Sequence, residues 1–353
     1  MKLRLHVGTE KTGSSYLQKL CGKNRAFLQE HGIWFPDAGR FERQLQKGSI
    51  SPGNASDLAR FLEDSDWATA SSWLAKRIRE ARDRDCKKLL LSSELLFAAL
   101  SNEGAIRTLE GVVGDAGVSE VSCLLLVRDP VDHALSLYKH RAKGGKSGAI
   151  ERWIDTGYSL PKQLAEFLRG IDCSTIRLQL RKYEKASELI EKIFFNDWLK
   201  VDPPPNLVEN LVNPSLSLSE LAVIRHITSV RPKDQPAFYS SFLSVPVADK
   251  ADDVGLKNTA FATVEKYLYR YNEFWRKLDA RLAADGGLKL PQERDIAVVA
   301  PQYEFSEAQL RALTRAHTVS MSFRYAVSHW VRSSLRPTIG RLIRRVVPTF
   351  RQS

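Results

Sequence analysis

Lys11 lies in the run Gly8-Thr-Glu-Lys11-Thr12-Gly13-Ser14-Ser15-Tyr16, which combines glycines, a cation and the hydroxyls of Thr12, Ser14 and Ser15. Placed between a strand and a helix, such a run leaves backbone N–H groups open at the helix N-terminus. Those donors and the helix dipole bind anions, and a lysine adds a full charge. The run also fits an ordinary strand-to-helix turn with a Thr or Ser cap. It is not the nucleotide loop G-x-x-x-x-G-K-[ST], whose lysine follows the second glycine. Here Lys11 precedes Gly13 by two positions. That order disfavours a Mg-dependent nucleotide kinase and leaves an anion site open.

A second run, from Leu124 to Tyr138, passes from an apolar stretch into Arg128-Asp-Pro130 and carries Ser136 eight residues after the arginine. Pro130 suits the first turn of a helix. Arg128 then falls at the C-terminal end of a strand, where open α/β sheets take their ligands. A guanidinium with a nearby hydroxyl suits a phosphate. A structural ion pair is the other reading of Arg128.

Both runs need a sheet to hold them. Lys2–Gly8 is predicted to be a strand, and positions 17, 20, 21, 24 and 28 then recur at helical spacing. Lys88–Ser92, Val121–Val127 and Thr175–Leu180 are predicted as further strands. Each is followed by helical spacing, the last by a helix from about Ala186 to Leu199. Apolar strands alternating with helices predict βα units around a buried parallel sheet. Asp202-Pro-Pro-Pro205 ends that pattern, and the chain beyond reads as helical. Phe261, Val264, Leu268, Tyr271, Trp275, Leu278 and Leu282 keep a three-to-four-residue stride. This predicts one long amphipathic helix packed on a core and ended by Asp285-Gly-Gly. The expected organisation is an α/β core over 1–205, a helical region over 206–320 completing the same domain, and a basic tail over 321–353.

The composition of the 353 residues, 43% hydrophobic and 27% charged, excludes collagen-like, mucin-like and wholly disordered chains. The net charge of +12 is unevenly spread. No acidic residue follows Glu307, whereas arginines stand at 311, 315, 324, 332, 336, 341, 344, 345 and 351. Setting those nine aside leaves the first 307 residues at about +3, which argues against nucleic acid as a partner. Within residues 338–347, Ile339, Leu342, Ile343, Val346 and Val347 would share a helix face, with Arg341, Arg344 and Arg345 opposite or flanking. That pattern suits an anionic membrane surface; a docked helix or a frayed end fits it as well. No apolar run is long enough to span a bilayer and the N-terminus has no signal-peptide pattern, so the expectation is a cytoplasmic protein, with the tail able to bring it to the inner membrane face. Cys21, Cys86, Cys123 and Cys173 form no metal or redox spacing and read as reduced thiols.

Taken together, Lys11-Thr-Gly-Ser-Ser after the first strand and Arg128-Asp-Pro with Ser136 after a later one resemble the nucleotide signatures of PAPS-dependent sulfotransferases. PAPS is 3′-phosphoadenosine 5′-phosphosulfate. With Ser92-Ser93-Glu94 added, the chain looks most like the bacterial branch, over roughly residues 1–200. The resemblance implies an α/β fold with a P-loop-like parallel sheet flanked by helices and a helical C-terminal region. It implies that Lys11 stabilises charge on the leaving phosphate, and that Thr12, Gly13, Ser14 and Ser15 hold the 5′-phosphosulfate. Arg128 and Ser136 would bind the 3′-phosphate. Tyr16 falls where relatives carry an aromatic against adenine, or is a helix-face core tyrosine; Tyr183 of Tyr183-Glu184 would also lie near the base. The Arg-Lys-Gly loop that closes over the 3′-phosphate in eukaryotic cytosolic members has no counterpart here.

The reaction implied is transfer of the sulfuryl group to a hydroxyl or amine, releasing 3′,5′-ADP, with no demand for a metal. The acceptor must lose a proton, so a base helps. Family members use a histidine or a glutamate. Glu94 is the candidate, unless Ser93 merely caps a helix and Glu94 serves its dipole. His133, Ser136 and His140 share one side of the Arg128 helix, which makes His140 a secondary candidate. Lys139, Arg141, Lys143 and Lys146 form either an acceptor lip for an anionic glycan or a solvated basic face. By analogy with bacterial relatives the acceptor is a glycan or glycolipid. A non-enzymatic basic binding protein for membrane or nucleic acid is the remaining alternative.

Overall fold

Five parallel strands, β1 (Lys2–Gly8), β2 (Ile33–Trp34), β3 (Lys88–Ser93), β4 (Glu120–Val127) and β5 (Arg177–Lys182), lie in the order β2-β3-β1-β4-β5 in the computed structural model of the chain. The structure describes residues 1–43, 51–144, 148–184, 186–205, 216–251, 253–293 and 303–330. The expected α/β fold, a parallel sheet flanked by helices with a helical C-terminal region, is present. The chain moves from β1 outward to β2, returns to β3, then crosses β1 to reach β4. Strand order therefore reverses at β1, where an open sheet leaves a crevice beyond its strand ends.

β1 alternates polar and apolar residues although it is the central strand. Leu3, Leu5 and Val7 join Leu89, Leu91, Cys123 and Leu125 in the core on one face. On the other face Arg4 and His6 are buried. Arg4 Nη1 donates to Glu120 Oε1 at 2.6 Å, and Lys2 pairs with the same carboxylate at 2.8 Å. These two cations hold the Glu120 carboxyl down to about 2. His6 Nδ1 lies 2.8 Å from Ser92 Oγ, and the ring meets Phe194 edge-on. Burial lowers its pKa to about 4, so the ring is neutral at physiological pH. Leu17, Leu20, Leu90, Leu124, Leu126, Phe194, Phe195 and Trp198 complete the second core. Cys21, Cys86 and Cys123 are buried and Cys173 is exposed, all four as free thiols.

The described residues fall into two compact units: those within Met1–Leu137, Ile150–Val212 and Phe261–Ile296, and those within Tyr138–Ala149, Asn213–Ala260 and Ala297–Ser353. The boundaries expected after 205 and 320 do not coincide with this grouping. The reason is that Val264, Leu268, Trp275, Leu278 and Leu282 join the core of the sheet unit. The long helix expected there is two helices, Val254–Tyr269 and Asn272–Arg281. The break coincides with Arg270, which bonds Asp155 Oδ1 at 2.8 Å and lies against the rings of Tyr267 and Tyr271. Phe261, expected on the buried stripe, is 36% exposed.

The second unit has a buried polar centre. Glu220 accepts from Lys250 Nζ at 2.8 Å and from Gln309 Nε2 at 2.9 Å, with Ser217 completing a capping box. Asp253 accepts from Leu218 N and Ser219 Oγ, closing the start of helix Leu218–Val230.

Candidate functional site

The C-terminal strand ends carry the residues singled out by type and spacing. β1 enters a loop in which Lys11 has φ 67° and Gly13 φ 79°, and helix Ser14–Lys23 starts immediately after. A lysine in the left-handed region costs about 1 kcal/mol, and such strain persists only where neighbours fix the backbone. Two bonds do so: Thr12 Oγ1 donates to Thr9 O at 2.6 Å, and His133 Nε2 lies 2.9 Å from Glu10 O. Gly13 is required twice over. It needs a positive φ, and a Cβ there would lie 3.2 Å from Tyr183 Cε2. At the helix N-cap it offers no side-chain cap; Tyr16 N donates to Gly13 O at 3.0 Å, while the N–H groups of Ser14 and Ser15 have no acceptor among the described residues and can meet an external one.

Lys11 is half-buried and makes no ion pair among the described residues. Burial lowers its pKa; nearby Glu94 raises it, and Arg128 lowers it. Those influences put Glu94 and Arg128 each within Coulombic reach of Lys11. Arg128, just beyond β4, is also half-buried with no carboxylate paired to it among the described residues. Its guanidinium lies 5.7 Å from the centre of the Tyr183 ring. Tyr183 follows β5, and its N–H donates to Val127 O at 2.7 Å. Arg181 pairs with Asp197 and Asp285, and Asp285 also accepts from Lys182 N, which fixes this strand end. Tyr183 thus lies near both Gly13 and Arg128. Burial raises its phenol pKa. Ser136 sits in helix Pro130–Ala142, one turn beyond His133.

Glu94 follows β3, half-buried, and accepts from Ser14 Oγ at 3.3 Å. The strand end is held by the segment Ser51–Asn54. Asn54 Nδ2 donates to Pro36 O and Leu90 O, and its Oδ1 accepts from Ser92 N at 2.7 Å. Gly53 has φ 92°, and a Cβ there would meet Ser92 O at 2.1 Å. Ser93 donates to Pro52 O and accepts from Leu95 N at the start of the short helix Leu95–Ala99, whose N-cap position is Glu94, without a side-chain cap. Glu94 at that helix start reaches the first turn of helix Ser14–Lys23 through Ser14.

The hydroxyls divide into two sets. Thr12 spends its donor within the loop and Ser14 on Glu94. Ser15, Ser136 and Tyr183 spend theirs on no partner among the described residues. Tyr16 belongs to the helix-face reading: its ring packs against the second core and its hydroxyl donates to the buried Glu191. Desolvation and that bond push the phenol well above its usual range.

His140 belongs to the second unit, as do Lys139, Arg141 and Lys143. Lys139 is not a solvated surface lysine. Burial lowers its pKa, with Lys257 adding to the effect and Asp253 and Glu220 opposing it. Lys146 and the basic segment 338–347 lie outside the described residues. The main residue that spacing alone did not assign is His133. It is buried, with Nδ1 3.0 Å from Tyr158 Oη and Nε2 against Glu10 O. The only sequence signal was its helical register with Ser136.

Compared with known proteins, the chain matches no family model, no curated protein and no solved structure.

Proposed function

We propose that this chain is a PAPS-dependent sulfotransferase that moves a sulfuryl group to a hydroxyl or amine of an acceptor and releases 3′,5′-ADP. The observation that carries the proposal is the pairing of Lys11 and Arg128. Both are half-buried cations with no carboxylate paired to them among the described residues, near one another at the reversal point of a parallel sheet. Cations withdrawn from water call for anions. Two such positions beside an uncapped helix end fit a ligand with two separated phosphate groups.

The residues fit the donor as follows. The loop N–H groups, Ser15 and Lys11 would hold the 5′-phosphosulfate, and Arg128 with Ser136 the 3′-phosphate. Tyr183, near both Gly13 and Arg128, would face the base. The donor supplies a sulfuryl group on an activated phosphate oxygen. Lys11 stabilises the charge that collects on that oxygen as its bond to sulfur breaks. Glu94 takes the acceptor proton as the new sulfur–oxygen bond forms, or the sulfur–nitrogen bond for an amine. The acceptor proposed is a glycan or glycolipid. No described helix is long and apolar enough to cross a membrane. A cytoplasmic enzyme whose basic tail meets the inner membrane face suits such an acceptor.

Titration calorimetry without added metal tests the donor site. Binding of 3′,5′-ADP should exceed that of 5′-AMP and ATP. Arg128→Ala should weaken 3′,5′-ADP by about 10²-fold, the scale of one charge-assisted bidentate contact, and 5′-AMP far less. Equal loss for both ligands would remove Arg128 from the 3′-phosphate. Binding that needs Mg-ATP would instead favour a kinase. Steeply salt-dependent binding to vesicles or DNA, without nucleotide affinity, would favour a basic binding protein.

Affinity should also carry an alkaline limb. An anion stabilises protonated Lys11, so binding raises a pKa that burial has lowered. Binding then takes up a proton above the free-state pKa, and affinity falls as pH rises, at a lower pH than for an exposed lysine. Lys11→Arg, which stays charged, should lack the limb. A limb of the same midpoint in that variant would assign it to another group.

A further inference from the structure

We infer that His133 is a positioning residue that sets the spacing between the two anion-holding segments, the Gly8–Gly13 loop and the Arg128–Ser136 segment; the inference rests on the donor site proposed above. His133 is 1% exposed, so it meets no ligand and exchanges no proton with one. Its ring stands between Glu10 O at 2.9 Å and Tyr158 Oη at 3.0 Å. A carbonyl only accepts, so the Nε2 atom must carry the hydrogen. Nδ1 is then an acceptor, and the Tyr158 hydroxyl donates to it. Burial, with Arg128 and Lys11 nearby, lowers the pKa to about 4, which keeps this single neutral tautomer at physiological pH.

The bond to Glu10 O is a direct side-chain link from the Arg128–Ser136 helix to the loop. It acts on the residue before Lys11, whose φ of 67° needs outside support. The other end of the link is equally fixed. His133 N–H donates to Asp129 O, while the Asp129 carboxylate accepts from Lys289 N at 2.8 Å and lies 3.7 Å from Lys182 Nζ. Arg128 precedes that aspartate, and Ser136 follows His133 by one helical turn. One ring thus ties the backbone beneath Lys11 to the helix that presents the second anion group. A ligand with two phosphates gains from both sites only when their separation matches its own. Loosening the link should therefore penalise 3′,5′-ADP more than 5′-AMP, which uses one site. A histidine that merely fills the core would lower stability and leave that preference unchanged.

The test is calorimetric affinity for 3′,5′-ADP and 5′-AMP, with thermal unfolding, in His133→Leu, His133→Gln and Tyr158→Phe of the full chain. His133→Leu removes both bonds. His133→Gln keeps an amide donor near the position of Nε2. Tyr158→Phe removes only the hydroxyl that donates to Nδ1. In His133→Leu the preference for 3′,5′-ADP over 5′-AMP should fall about tenfold or more, the scale seen when partners behind a binding group are removed. It should fall about threefold in Tyr158→Phe, and His133→Gln should recover most of it. Should His133→Leu not fold, Tyr158→Phe and His133→Gln decide. An unchanged preference in the folded variants, whatever their melting temperatures, overturns the inference. A wild-type chain with no preference for 3′,5′-ADP instead overturns the donor site itself, and the positioning role with it.

Discussion

Lys11→Ala is expected to lower kcat by about 10²–10³-fold, the range for removing one preorganised donor from a developing oxyanion. The leaving phosphate oxygen gains charge as the sulfur bond breaks, and Lys11 is the cation of the loop that would hold it. The half-buried ammonium is worth more there than in water, because screening is reduced. Binding of 3′,5′-ADP should weaken less than turnover, since the loop N–H groups and Arg128 remain. Lys11→Arg should keep most of the affinity but recover only part of the rate, because a planar guanidinium replaces a point charge. The strained φ gives a control on the structural effect: alanine needs the same left-handed backbone as lysine, so Lys11→Gly should be more stable than Lys11→Ala without being more active. Equal loss of affinity and turnover would recast Lys11 as a uniform binding contact.

The sheet was legible because its strands are short apolar runs followed by helical spacing, and four of the five could be placed within about two residues. The fifth, Ile33–Trp34, is two residues long, too short for periodicity to register. β1 shows a limit of another kind. Its polar alternation suits a strand open on one face, yet Arg4 and His6 are buried, each with one nitrogen partnered by a residue distant in sequence, Glu120 and Ser92. The single long helix expected from 261 to 282 breaks beside Arg270, since a continuous stride carries no mark of that break. Lys11, Glu94 and Arg128 were legible as chemistry at three strand ends, and the strand order explains why they meet. Which hydroxyls are spent was not legible. Thr12 and Ser14 turn inward, and the partner of Tyr16 is Glu191, far along the chain. His133 was hidden for the same reason, because its role is defined by a backbone carbonyl 123 positions away and a tyrosine 25 positions on.

Glu94→Gln should separate a base from a merely electrostatic neighbour. Glutamine keeps the size and an acceptor for Ser14 Oγ, so the strand end and the loop should hold their places. It cannot take a proton. If Glu94 is the base, kcat should fall about 10²–10⁴-fold while affinity for 3′,5′-ADP at neutral pH changes little. A second effect follows from the charge lost. Glu94 raises the Lys11 pKa, so its neutralisation should move the alkaline limb of nucleotide affinity to lower pH. The two outcomes are independent. A shifted limb with unchanged turnover would mean that Glu94 only tunes Lys11 and that the proton goes elsewhere. His140→Ala would then be the next variant to assay, and a loss of turnover there would move the base to that histidine. A large loss of turnover together with the shifted limb would place both roles on one carboxylate. Glu94 would then take the acceptor proton while its charge keeps Lys11 protonated for the leaving group.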